Sequence, residues 1–333
     1  MDQAESFFVE LPDFAAPPGG KTGIARTVDG LGLRYMRWTG RPQGPGTIVI
    51  ATGRSEFIEK YFEVVGELLE RGFCVVVFDW RGQGLSQREL GDRAKGHVKD
   101  FSAYLEDLAA IEAHVLNDCP QPWFALGHSM GGAILLDQAH GARSPFARIL
   151  LSAPMIDLSC VRYRRLAHLL AGFFNRLGLG SHFVPGGRRS SVLERGFAGN
   201  PLSSDEARFN RMRMLIAAGA KLRLGDPTIA WVHAAFRLMR RFQHADYARQ
   251  IRTPVLILAA QNDGVVDSQA SERFAAGLQA GRQILIADAR HEILIERDEI
   301  RAQFWAAFDA FIPGTTGEEQ ALLARRAPRN VAL

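Results

Sequence analysis

The stretch ALGHSMGGA, residues 125 to 133, sets three glycines within six positions around a single serine, directly after an apolar run. Within it, Gly127-His128-Ser129-Met130-Gly131 fits G-x-S-x-G. The preceding PWFALGH (122–128) reads as a strand and the following MGGAILLDQAH (130–140) as a helix, which puts the serine on a strand-to-helix turn. A serine held in that strained turn leaves no room for side chains two positions before and after it, a physical reason for Gly127 and Gly131. The helix that starts beyond Ser129 also presents unpaired N–H groups where an oxyanion would form. The rival reading is a glycine-rich turn with an incidental serine; the flanking strand and helix favour a nucleophile elbow.

Outward from the elbow, apolar strand-like runs alternate with helix-like ones. GTIVIAT (46–52) precedes a helical pattern in EKYFEVVGELLERG (59–72), and GFCVVVFDW (72–80) leads through the turn RGQG to a helical stretch near 100–117. ARILLSAP (147–154) closes the series. Near-continuous apolar strands separated by helices predict a mostly parallel central sheet covered on both faces, an α/β fold. The alternation stops after Pro154 and resumes at TPVLILAAQND (253–263), followed by a helix near 268–278, the strand RQILIAD (282–288) and a last helix near 298–312. The expected organisation is therefore a core of residues 1–154 and 251–312, an inserted helical cap over 155–250, and a C-terminal tail over 313–333. In the insertion, Leu166, Leu169, Leu170, Phe173, Phe174 and Leu177 form the stripe of an amphipathic helix flanked by Arg162, Arg165 and Arg176. Such a stripe more often faces a core than a lipid. A second helix is expected around Ile229, Val232, Phe236 and Met239.

A serine hydroxyl needs a base, and the base needs an orienting carboxylate. On a fold with this elbow the partners follow in the order acid, then histidine, each after a later strand. Asp263 lies in LAAQNDGVVD after the strand 254–260, and His291 lies in ADARHEIL after the strand 282–287. Asp267 competes for the acid role but is placed to cap the next helix. His128 sits inside the elbow, and HEILIE is not H-E-x-x-H, which excludes the zinc-protease pattern. The oxyanion hole takes one amide from the residue after the nucleophile, Met130, and one from the loop after an early strand. That loop is ATGRSEF, and its expected donor is the amide of Arg54; the rival reading is an ordinary surface turn.

Composition narrows the classes further. Cys74, Cys119 and Cys160 are an odd number without C-x-x-C spacing, so neither a disulfide framework nor a metal site is expected, and a reducing compartment is. No apolar stretch reaches the roughly 18 residues that span a bilayer, and the acidic start MDQAESFFVELPDF is unlike a secretory signal, so the expected location is cytoplasmic. The formal charge of +4 conceals an imbalance: residues 155–250 hold 16 Lys plus Arg against 6 Asp plus Glu, or +10, leaving −6 elsewhere. No nucleic-acid motif accompanies this basic block, so no nucleic-acid partner is expected. A peripheral contact with anionic membrane through the cap, at its inner face, is.

These residues together resemble the α/β-hydrolase superfamily, and within it the branch that contains bacterial lysophospholipases of the L2 type and monoacylglycerol lipases. The resemblance is carried by GRSEFIEKY, FDWRGQGLSQR, GHVKDFSAYLEDL, GHSMGG, LSAPM, QNDGVVD and ARHEIL, in order from residue 46 to residue 300. It implies Ser129 as nucleophile, Asp263 as acid, His291 as base and no cofactor. Monoacylglycerol lipases usually carry His-Gly before the oxyanion donor; here the pair is Thr52-Gly53, and Gly53-Arg54 is closer to the bacterial lysophospholipases. The expected function is hydrolysis of the acyl ester of a single-chain lipid through an acyl-enzyme. Two alternatives stay open: a small-molecule carboxylesterase or acyltransferase with the same triad, and a non-catalytic scaffold of this fold.

Overall fold

Strands in which no residue is exposed must be covered on both sides, and β3 (Thr47–Ala51), β4 (Cys74–Phe78), β5 (Trp123–His128) and β7 (Val255–Ala260) are buried at every position. The computed structural model describes residues 7–141 and 144–313. With β1 (Lys21–Arg26), β2 (Gly32–Trp38), β6 (Arg148–Ser152) and β8 (Gly281–Ile286), these strands form one sheet of order β1-β2-β4-β3-β5-β6-β7-β8. From β4 to β8 neighbouring strands run parallel, while β2 pairs antiparallel with both β1 and β4.

Alternation along the strands divides the core into two layers. Val49, Ala51 and Ala125 join the layer built by α2 (Ser102–His114), α3 (Met130–Ala139), α6 (Ile229–Phe242) and α8 (Ser268–Gly277). Ile48, Ile50, Phe124 and Leu126 face the other way, against α1 (Phe62–Glu70) and α9 (Asp298–Phe311). The N-terminal hairpin of β1 and β2 was not read from the sequence, because β1 (KTGIAR) buries only Ala25 and shows no apolar run.

The chain between β6 and β7 is an inserted helical segment that contains α4 (Arg164–Phe174), α5 (Glu206–Ala218), α6 and the short α7 (Ala245–Arg249). A third apolar cluster fastens it: Phe209, Met212, Leu215 and Ile216 of α5 pack with Phe57 and Ile295, which come from loops of the core. The helix α4 does not turn its apolar stripe to a core, the commoner fate of such a stripe. It approaches α6 through small residues, with Ala171 buried and a Cβ at Gly172 only 3.1 Å from the His233 ring, so its large apolar side chains turn outward. Leu166, Leu169, Phe173 and Leu177 are between 54% and 70% exposed. The expected tail lies, from residue 314 on, outside the described residues.

Candidate active site

Ser129 directly follows β5 and is the N-cap of α3, with φ 48° and ψ −113°. A positive φ at a non-glycine residue is strained and persists only where the surroundings over-determine it. Here its N–H donates to Ser152 O at 3.1 Å, and its carbonyl accepts from Ala133 and Met155. The flanking glycines are steric requirements: a Cβ at Gly131 would lie 2.1 Å from the Ala51 carbonyl, and one at Gly127 would lie 2.6 Å from Leu135 Cδ1.

The carboxyl ends of β7 and β8 deliver two more groups to this point. His291 Nε2 is 3.1 Å from Ser129 Oγ, and its Nδ1 is 2.9 Å from Asp263 Oδ2. The other oxygen of Asp263 accepts the amides of Val265 and Val266 at 2.8 and 2.9 Å. Burial pushes the Asp263 carboxyl up, but His291 and these amides more than offset it, and the pKa lies below the usual value. An ionised Asp263 accepts only, so Nδ1 carries the proton and the Nε2 lone pair faces the serine hydroxyl. Asp267 instead caps α8, accepting from Gln269 and Ala270.

The loop after β3 is tied down on both sides of Arg54. Thr52 O accepts from the Trp80 indole at 2.7 Å, Gly53 N–H donates to the Glu56 carboxylate, and Ser55 N–H donates to Gln83 Oε1 at 2.5 Å. The Arg54 amide is left without a partner among the described residues, and so is that of Met130, the first residue of α3. These are the two expected oxyanion donors, and the surrounding bonds leave each of them unspent.

Sequence reasoning missed a buried ionic cluster beneath the serine. Lys60 Nζ bonds Glu56 Oε1 at 2.6 Å and also Glu292, the residue after His291. Tyr61 donates to the second Glu56 oxygen at 2.6 Å. His128 Nδ1 is 3.0 Å from the Ser152 carbonyl, which only accepts, so that nitrogen is protonated. Its Nε2 is 3.3 Å from Glu56 and 3.2 Å from Glu292, close to both carboxylates without aligning on either. Burial opposes the charge on His128 and on Lys60, yet the two glutamates raise both pKa values; burial likewise opposes the Glu292 charge, yet Lys60 and His128 bring it well below the carboxylate range. With His128 protonated, as the two glutamates favour, the cluster holds two anions and two cations and is neutral in sum. Glu56, His128 and Glu292 have the donor types and spacing of a metal site, but Lys60 already supplies a cation to both carboxylates. The signal was spread over three segments, with only the i, i+4 spacing of Glu56 and Lys60 visible locally.

Ser129 and His291 open on a cavity of about 220 Å³ with apolar walls from Leu193, Leu202, Met212 and Val265, most of them in the insertion. A larger hollow of about 1230 Å³ lies at the opposite, amino-terminal end of the strands around Trp123 and Pro254, away from Ser129.

The chain is similar to known proteins over most of its length. The family model described as serine aminopeptidase, S33, matches residues 42–298. Lysophospholipase L2 of Escherichia coli K12 is 34% identical over 288 residues, covering 83% of this chain and 82% of that protein. Monoglyceride lipase of Saccharomyces cerevisiae is 26% identical over 290 residues, with 82% and 87% covered. A solved structure of a soluble variant of the yeast monoglyceride lipase with a substrate analogue superposes with a TM-score of 0.70 at 21% identity, covering 89% of this chain and 97% of that one.

Proposed function

The chain belongs to the serine aminopeptidase S33 family, and on that premise we propose that it cleaves the acyl ester of single-chain lipids, a lysophospholipid or a monoacylglycerol, through an acyl-enzyme on Ser129. The observation that carries the proposal is the continuous chain of contacts from Asp263 through His291 to Ser129 at the mouth of an apolar cavity. His291 takes the Ser129 proton as Oγ attacks the ester carbonyl, and the amides of Arg54 and Met130 stabilise the oxyanion. The tetrahedral intermediate collapses, His291 gives its proton to the departing glycerol oxygen, and the acyl group stays on Oγ. Water, deprotonated by His291, then attacks the acyl-enzyme and releases the fatty acid.

The relatives' names support a carboxylic ester hydrolase acting on lipids. The family label names a peptidase. An aminopeptidase needs a free carboxylate for the substrate's terminal amine, and the glutamates that line the cavity, Glu56 and Glu292, are already held by Lys60 and lie beside His128.

In this reading residues 155–250 are a cap, and the outward face of α4 docks on anionic membrane at its cytoplasmic side. What supports the docking is the exposed apolar row Leu166, Leu169, Phe173 and Leu177 next to Arg162, Arg165 and Arg176, within a segment of charge +10. Among the described residues no helix is long and apolar enough to cross a membrane.

The test is fatty-acid release from lysophosphatidylcholine, lysophosphatidylethanolamine and monoacylglycerol by wild type and Ser129→Ala. Release that vanishes in the variant is expected. Cleavage of short esters alone would favour the carboxylesterase alternative, and absence of fluorophosphonate labelling at Ser129 in folded protein would favour the scaffold.

A further inference from the structure

Among the described residues, the side chain of Arg54 has no counter-ion. Its guanidinium donates to Ser55 Oγ at 3.0 Å and to the carbonyl of Gly225, in the insertion, at 2.7 Å, and it stacks on the Trp231 ring of α6 with 5.2 Å to the centroid. No carboxylate among the described residues lies within ion-pair distance, and Nε is buried with no acceptor. A guanidinium carries five N–H donors, so most remain unused. Burial pulls the pKa down to about 10, as it does for a cation removed from water without an anion to replace it.

Several nearby cations do find an anion. Lys60 has Glu56 and Glu292, Arg189 has Asp92 at 2.6 Å, Arg195 has Asp226 at 3.1 Å, and Arg223 has Glu194 at 3.0 Å. Asp226 is the acid whose field reaches Arg54, but its carboxylate is held by Arg195 and by the Arg188 amide at 2.8 Å. An unmatched, partly buried arginine is costly, and this one lines the cavity that holds Ser129 and His291. Because its own amide is an oxyanion donor, its guanidinium lies one arginine side chain from the carbonyl under attack. A lysophospholipid carries its phosphodiester on the same glycerol unit as that ester.

We propose that the Arg54 guanidinium is the counter-ion for the phosphodiester of a lysophospholipid substrate and makes the site prefer it over an uncharged monoacylglycerol. The inference rests on the lipid-ester reading above. Planar guanidinium matches phosphate with paired hydrogen bonds, which a lysine reproduces only as a point charge.

The experiment compares lysophosphatidylethanolamine and monoacylglycerol bearing the same acyl chain, in the same detergent micelles, with wild type, Arg54→Met and Arg54→Lys. Rates are expressed per site titrated with a fluorophosphonate, so that misfolded protein is not counted. Wild type is expected to favour the lysophospholipid. Arg54→Met lowers the ratio of the two kcat/KM values by roughly 10- to 100-fold, chiefly through the lysophospholipid KM, and Arg54→Lys recovers part of it. If Arg54→Met slows both substrates by the same factor, the side chain acts through the loop and its Gly225 contact, and the inference is overturned. It is also overturned if wild type shows no preference for the phosphate-bearing substrate; Ser129-dependent cleavage of monoacylglycerol would then leave the lipid-ester reading standing. Release from neither substrate removes both.

Discussion

Replacing Lys60 by methionine keeps a long, unbranched side chain while removing one cation from a neutral, buried cluster. Glu56, Glu292, Lys60 and His128 have side chains between 2% and 10% exposed, so water cannot take over the role of Lys60. The variant is left with two carboxylates and one imidazolium. Removing one partner of a buried ion pair costs about 3–5 kcal/mol, and at pH 8 Lys60→Met is expected to lose stability in that range. The sign of its pH dependence follows from the charges. In wild type the Glu292 pKa lies well below the usual value, so its contribution is present above pH 4.5 and is lost only as pH falls through the lower, folded value. In the variant one carboxylate is unmatched, its folded pKa moves above the unfolded one, and the deficit relative to wild type shrinks as pH drops towards 5. The double variant Lys60→Met/Glu56→Gln restores neutrality, with Glu292 facing His128, and recovers about 2 kcal/mol of the loss. Urea unfolding followed by tryptophan fluorescence at pH 5.5, 7 and 8.5 measures all three proteins. A deficit under about 1 kcal/mol at every pH, or a double variant no better than the single one, would refute the neutral-cluster argument.

Three other expectations follow from the same contacts. Asp263→Asn removes the carboxylate that fixes the His291 tautomer, and kcat falls by about 10³ to 10⁴; a loss under tenfold would take Asp263 out of the proposed mechanism. Gly53→Ala puts a Cβ 2.8 Å from Glu56 Oε1 and 2.9 Å from the His128 ring, which displaces the carboxylate holding the Gly53 amide. The Arg54 amide then shifts, and both kcat and fluorophosphonate labelling slow by about 10²-fold; parity with wild type would show the loop is set by Trp80 and Gln83 alone. Replacing Leu166, Leu169 and Phe173 together by serine removes half-exposed apolar groups worth about 1 kcal/mol each at a membrane, so sedimentation with anionic vesicles weakens by about 10²-fold. Unfolding in urea then changes by less than about 0.5 kcal/mol, and a large loss instead would mean these side chains belong to the core.

What could be read in the sequence and what could not separate by the distance over which the physics acts. The elbow was readable because its pattern is local: Gly127 is demanded by Leu135 and Gly132, which the strand-turn-helix path brings back at once, while the clash at Gly131 is with Ala51 of β3, the parallel neighbour of β5. Asp263 and His291 were readable by position, each just beyond an apolar strand whose parallel neighbours place its carboxyl end at the same edge of the sheet. The α4 stripe was visible, but its direction was not, because that depends on Ala171 and Gly172 meeting α6 more closely than the leucines could. The ionic cluster was least readable of all. Glu56 and Lys60 sit four apart in the segment after β3 and pass for a surface pair, His128 passes for a variable elbow residue, and Glu292 passes for a solvated neighbour of His291. Burial turns them into one unit, since any three of the four would leave an unmatched charge beside Ser129. Arg54 escapes that matching, and it differs from the buried Arg88, which spends its donors on backbone carbonyls, in lining the cavity where a substrate can supply the missing anion.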